Sequence, residues 1–126
     1  MTPPRVGPYS PVVRVAGLLV TSGQLGLQAG PDGSPPSLAP GGTVAELRQA
    51  LSNLRDVLAS EGADLSAVVK ATVFLVDLSE LAAVNEVWAQ AFGDNRPARS
   101  AVGVASLPLG AQVEVEAWAA APAAPA

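Results

Sequence analysis

A chain of 126 residues that contains neither Cys nor His has few side chains with which to move a proton or grip a charged ligand. Those that remain fall in four places: Gly7-Pro8-Tyr9, Thr21-Ser22-Gly23-Gln24, Asn85, and the stretch from Arg99 to Glu116. Arg99, in Pro97-Ala98-Arg99-Ser100, stands just before a strand-like run. A planar guanidinium there can hold a carboxylate through two parallel hydrogen bonds, or simply sit in a surface salt bridge. Glu114 and Glu116 lie two apart in an alternating segment and therefore share a face, opposite Val113, Val115 and Ala117. That face is either solvated or part of a cleft in which desolvation raises a carboxylate pKa toward the range of a proton shuttle. Tyr9 is the only tyrosine, and Gly7-Pro8 sets it in a turn that either presents its hydroxyl as a donor or packs its ring on a neighbouring hairpin. Ser22-Gly23 falls at a strand end, where the missing side chain opens the backbone to a ligand or marks a bulge. Asn85 falls on the apolar stripe of a helix, between Leu81 and Trp88, where it needs a polar partner: a ligand or a neighbouring loop.

The same composition closes other routes. Without Cys there are no disulfides, thiolate nucleophiles or cysteine-ligated metals; without His, the commonest general base and metal ligand is gone. A formal net charge of -4 and a single lysine, Lys70, provide no basic stripe for a phosphate backbone, so no nucleic-acid partner is expected. The most apolar stretch, Ala101 to Val113, is too short for a membrane span and is broken by Pro108. The first residues, Met1 to Arg5, have no apolar signal core, which points to the cytoplasm. Hydrophobic residues make up 49% of the chain, enough for one buried core and one domain over residues 1–120. Charged residues make up only 14%, against roughly 25% in ordinary soluble domains, so part of the surface is expected to be shared between subunits.

The elements that must position these residues follow from periodicity and punctuation. Val12–Val15 and Leu18–Ser22, split by Ala16-Gly17, form a hairpin. Gly26 to Gly42 is a Pro/Gly-rich loop, and Ala121 to Ala126 a flexible Ala/Pro tail. Thr43 with Glu46 is a capping-box pattern opening a helix with Val44, Leu47, Leu51, Leu54 and Leu58 on one stripe and Gly62 as its stop. Val68–Asp77 is a central strand, with Val69, Ala71, Val73 and Leu75 on one face and Val68, Lys70, Thr72, Phe74 and Val76 on the other. Ser79 caps a second helix whose stripe is Leu81, Val84, Trp88, Ala91 and Phe92, ending at Gly93. Strands at Ser100–Ala105 and Gln112–Ala119 complete a β-β-α-β-α-β-β order, an α+β sheet covered on one face by two helices. The other face, bearing Phe74 and Val76, is apolar enough to need a partner.

Taken in this order and spacing, the segments resemble the RidA (YjgF) family of reactive intermediate imine deaminases, from about Val6 to Trp118. The resemblance is carried by Gly7-Pro8-Tyr9-Ser10, Thr21-Ser22-Gly23-Gln24, Gln49 to Leu54, Val69 to Leu75, Ala83 to Val87 and, most specifically, Pro97-Ala98-Arg99-Ser100 with Val113-Glu114-Val115-Glu116-Ala117. It implies a chorismate-mutase-like fold assembled as a homotrimer, a central barrel of sheets with ligand clefts between subunits. It further implies that Arg99 binds the substrate carboxylate, that Glu114 stands near the attacking water, and that Tyr9, Ser22, Gly23 and Asn85 surround the cleft. Many members have a cysteine two residues after the arginine; here it is Ala101, whose backbone can still serve the ligand while thiol chemistry cannot occur.

The reaction so implied is hydrolysis of 2-imino acids or enamines, such as 2-aminoacrylate/2-iminopropanoate, to 2-oxo acids and ammonia, with neither metal nor organic cofactor. The alternative from another class is a non-catalytic trimer that holds a small carboxylate metabolite or a protein in the same cleft. Ribonuclease activity, ascribed to some relatives, is disfavoured by low basicity and the missing His.

Overall fold

The computed structural model describes residues 2–123. Its strands are β1 (Val12–Val15), β2 (Leu18–Thr21), β3 (Gln24–Leu25), β4 (Leu27–Gln28), β5 (Ser37–Leu38), β6 (Val68–Leu75), β7 (Ala98–Gly103) and β8 (Val113–Ala120), and its helices α1 (Thr43–Ala59) and α2 (Leu81–Phe92). The main sheet runs β1-β2-β8-β6-β7, with β3 continuing the β2 edge of β8. All pairs are antiparallel except β6 with β7, which are joined through α2 and run parallel.

The hairpin forms where expected because Ala16 and Gly17 both take positive φ, 48° and 78°, the handedness a two-residue turn between twisted strands requires. Both helices lie on one face of the sheet. Leu47, Leu51, Leu54 and Leu58 of α1 and Val84, Val87, Trp88 and Phe92 of α2 close over Ala71, Val73 and Leu75 of β6 and Val113, Val115, Ala117 and Ala119 of β8. Burying each of these large side chains is worth about 1.5–3 kcal/mol relative to leaving it in water.

Several local expectations are corrected. Gly42, not Thr43, occupies the cap position of α1, at φ 86° and with no side-chain cap. Thr43 Oγ1 instead hydrogen-bonds to the Glu80 carboxylate and lies 3.0 Å from Gln112 Oε1, while Glu46 Oε1 accepts the Gln112 N–H at 2.9 Å. The side chains that spell a capping box thus tie the start of α1 to the entry of β8. Asp77, not Ser79, caps the turn into α2: its carboxylate accepts the Ser79 N–H and Oγ–H at 2.9 and 2.7 Å, bonds that hold its pKa below the ordinary value. A bulge between Val68 and Lys70 leaves Val68 buried and Val69 exposed, reversing their expected faces. The stretch from Gly26 to Gly42 holds a small two-stranded sheet, β4 with β5. It is seated by Asn53 of α1, whose amide donates to the carbonyls of Leu25 and Leu27 at 3.1 and 2.9 Å. Gly26 is obligatory there, since a Cβ would lie 2.4 Å from the Glu46 carbonyl oxygen.

At the other end, Ala121 donates its N–H to Gly17 at 2.9 Å; residues 124–126 of the expected flexible tail lie outside the described residues. Among the described residues no helix is long and apolar enough to cross a membrane.

Candidate active site

Register decides which side of the sheet each candidate residue occupies. On β7, Arg99 pairs with Ala71 and Ala101 with Val73, so both point to the side covered by the helices. The Arg99 guanidinium carbon lies 5.2 Å from the ring centre of Trp88, within cation–π range. Trp88 is itself held by burial in the core and by the Phe92 ring, 4.8 Å away, so α2 supplies a fixed platform for the cation. The result is a cleft of about 430 Å³ lined by Asn85, Trp88, Ala89, Arg96, Pro97 and Arg99. Asn85 is exposed on the cleft wall, not embedded in the apolar stripe; Val87 takes the buried position the stripe reading lacked. Ala101 packs against the core further along β7 and does not line this cleft.

Glu114 belongs to the other face. On β8 it pairs with Phe74, and Glu116 with Thr72. The Glu114 carboxyl is half-buried; burial first, and the nearby charge of Glu116 second, raise its pKa above the ordinary value. It sits over Gly23, where a Cβ would come within 2.6 Å of Glu114 Oε2. Ser22 anchors the approach: its hydroxyl donates to the Ser10 carbonyl at 2.7 Å and its N–H to Pro11 at 2.9 Å, holding the N-terminal segment to the strand end. Tyr9 follows from that segment. Its ring lies on Gly7, and its hydroxyl oxygen accepts the Val6 N–H at 3.4 Å, leaving the hydroxyl proton for another acceptor. Tyr9, Ser22, Gly23, Leu25, Pro108 and Glu114 thus line a second cleft, of about 420 Å³.

Gly23→Ala provides a direct check on this contact. Gly23 needs no positive φ, and the nearest atoms a methyl would meet all belong to the Glu114 side chain, so that side chain is displaced rather than the backbone. Catalytic rate is expected to drop by up to about a hundredfold, the scale of a reacting group misplaced by about 1 Å, with the midpoint of thermal unfolding little changed; a rate equal to that of the parent chain would refute the contact's role.

The candidate residues therefore form two groups, Arg99 with Asn85 and Glu114 with Tyr9, Ser22 and Gly23. Within one chain β6 stands between β7 and β8, and the two groups open on opposite faces of the sheet. In the first cleft Trp88 and Arg96 went unread as site residues in the sequence. Helical spacing marks Trp88 as core, which it is, but its place one turn before Phe92 also sets it under Arg99. Arg96 precedes a proline in a loop, with no partner in the pattern to single it out.

The chain is similar to known proteins over nearly its whole length. The family model described as endoribonuclease L-PSP matches residues 2–121. A goat (Capra hircus) protein named 2-iminobutanoate/2-iminopropanoate deaminase is 46% identical over 117 residues, 93% of this chain and 82% of its own length. The crystal structure of RidA from the Antarctic bacterium Psychrobacter superposes with a TM-score of 0.85 at 38% identity, covering 94% of this chain and 93% of that one. The YjgF gene product of E. coli does so with a TM-score of 0.80 at 34% identity, over 94% and 92% of the two chains. With nearly its whole length matched by the family model, by a curated relative and by solved structures alike, the chain belongs to the RidA (YjgF) family, the family described as endoribonuclease L-PSP.

Proposed function

We propose that the protein hydrolyses reactive 2-imino acids and their enamine tautomers, such as 2-aminoacrylate/2-iminopropanoate, to 2-oxo acids and ammonia. The observation that carries this reading is the pair of complementary groups: a guanidinium with no carboxylate partner among the described residues, stacked on Trp88, and a half-buried carboxyl whose pKa is raised. The goat and other mammalian relatives named as deaminases support it.

A 2-imino acid carries its carboxylate beside an electrophilic C=N carbon. Arg99 grips the carboxylate and so fixes that carbon. Water adds to it as the C=N electron pair moves to nitrogen, and Glu114 takes one water proton and passes it to nitrogen; as the C–N bond then breaks, the remaining hydroxyl proton leaves by the same carboxylate for the departing nitrogen, so both water protons end on ammonia and the 2-oxo acid remains. Tyr9 donates a hydrogen bond to the developing tetrahedral centre, Ser22 holds the Tyr9 segment in place, and Gly23 gives the Glu114 carboxylate its room. The backbone of Ala101, the position that is cysteine in many relatives, still serves the ligand in the assembled cleft, and Asn85 closes the Arg99 side. The C=N carbon is electrophilic enough that orientation and one base suffice, without metal or organic cofactor.

Because Arg99 and Glu114 open on opposite faces, the reading requires neighbouring copies to unite them. The helix-free face supports this: Val13, Val15, Val102 and Trp118 are 52%, 51%, 39% and 46% exposed. Three such faces closing on each other form the chorismate-mutase-like barrel of a homotrimer, with a cleft at each junction. Light scattering is expected to return three times the chain mass of 12.6 kDa, and a monomer at micromolar concentration would overturn the assembly.

The activity is tested by generating imines in situ with an amino-acid oxidase and following their loss. Acceleration over buffer is the expected result, and none would sink the reading. The family description as endoribonuclease favours RNA as a second substrate, but a net charge of -4 with one lysine opposes it; RNA left intact at low salt would dispose of it.

A further inference from the structure

Arg99 does not stand alone in its cleft. Arg96 lines the same space, so two of the seven basic residues face a cavity whose other walls, Asn85, Trp88, Ala89 and Pro97, bear no negative charge. Neither guanidinium takes part in an ion pair among the described residues. Arg96 Nε donates to the Gly93 carbonyl at 3.0 Å, which turns the plane of its guanidinium and leaves the terminal nitrogens for another acceptor. Pro97 restricts the backbone of the residue before it to extended conformations, so the two arginines are held by a stiff connection. Arg99 is oriented by Trp88. One α-carboxylate engages one guanidinium fork; a second, like-charged fork lining the same cleft calls for a second anion.

We propose that Arg96 is a specificity residue that receives a side-chain acidic group, so that this cleft favours 2-imino acids with two carboxylates, the imines of acidic amino acids. The inference rests on the deaminase reading and deepens it, since Arg99 holds the α-carboxylate in both. Both carboxylates are spectators in the hydrolysis: water still adds at the C=N carbon and ammonia still leaves, so Arg96 changes which substrate is captured and not the reaction.

The experiment compares 2-iminoglutarate, produced by a glutamate oxidase, with 2-iminopropanoate, produced from alanine, on the intact chain and on Arg96→Gln and Arg96→Lys. The ratio of kcat/KM for the dicarboxylic over the monocarboxylic imine is expected to fall about tenfold in Arg96→Gln, the scale of one charge-assisted hydrogen-bonded pair. Arg96→Lys should retain part of that ratio, and added salt should reduce it in the parent chain. An unchanged ratio overturns the proposal. Calorimetric binding of 2-oxoglutarate and pyruvate decides the same point without turnover: Arg96→Gln should weaken the first more than the second, and equal weakening counts against Arg96. Failure of the parent chain to hydrolyse either imine, with the binding difference intact, removes the deaminase reading and leaves the two-anion cleft standing.

Discussion

Arg99→Ala is expected to lower kcat/KM for 2-iminopropanoate by about a hundredfold, or about 3 kcal/mol of lost transition-state stabilisation, the range for removing one partner of a charged, hydrogen-bonded pair. Three features of the site set that scale. The guanidinium has no carboxylate among the described residues to share it, it is oriented by the Trp88 ring 5.2 Å from its central carbon, and its wall is the rigid α2 anchored in the core. Arg99→Lys keeps the charge but loses both the fork and the stacking geometry, so it should fall between the parent chain and the alanine variant. The loss should be divided between the two constants: KM rises because the carboxylate is no longer bound, and kcat falls because the C=N carbon is no longer aimed at the water. Thermal unfolding separates this from misfolding. Arg99 is only partly buried, and the stacking it gives up is worth about 0.5–1 kcal/mol, so the variant should remain folded. Equal imine loss with Arg99→Ala and with the parent chain would remove Arg99 from the mechanism.

What the sequence made legible follows the length of each element's pattern. The stripe from Leu47 to Leu58 and the alternation in Val113 to Ala119 span enough residues for period to show, and each buries the predicted side. The two-residue strands β3, β4 and β5 are shorter than any period and arise from tertiary contacts, notably the Asn53 amide on the Leu25 and Leu27 carbonyls. The bulge at Val68 is a one-residue event that inverts a face without altering composition. Thr43 and Glu46 have the types of a capping box, but Gly42 takes the cap and frees them for Gln112 and Glu80. At the site, residue types pointed to Arg99, Glu114, Tyr9, Ser22 and Gly23, while their division between two faces depends on register across three strands. No single segment encodes it.

Glu114→Gln should separate chemistry from binding and from stability at once. The glutamine keeps the shape but cannot accept a proton, so kcat is expected to fall about 10²-fold to 10³-fold, as for loss of a positioned general base, while binding of a non-reactive carboxylate such as pyruvate changes little. Acid should do to the parent chain what the substitution does: as pH falls through the raised Glu114 pKa the base is protonated, and the rate above buffer declines toward that of the variant, whose own profile stays flat there. The stability consequence has the opposite sign. A carboxyl whose folded pKa lies above its unfolded one binds its proton more tightly in the folded state, so at neutral pH the charged form is a liability. Stability attributable to Glu114 rises as pH falls from above the folded value to below the unfolded value. Glu114→Gln should therefore unfold at a higher temperature than the parent chain at pH 7, with the gap closing as pH falls through that window. A variant both less active and more stable is the signature of a carboxylate held partly out of water for its reaction. A Glu114→Gln chain that still hydrolyses imines at the parental rate would leave the cleft a binding site and refute the proton transfer assigned to this residue.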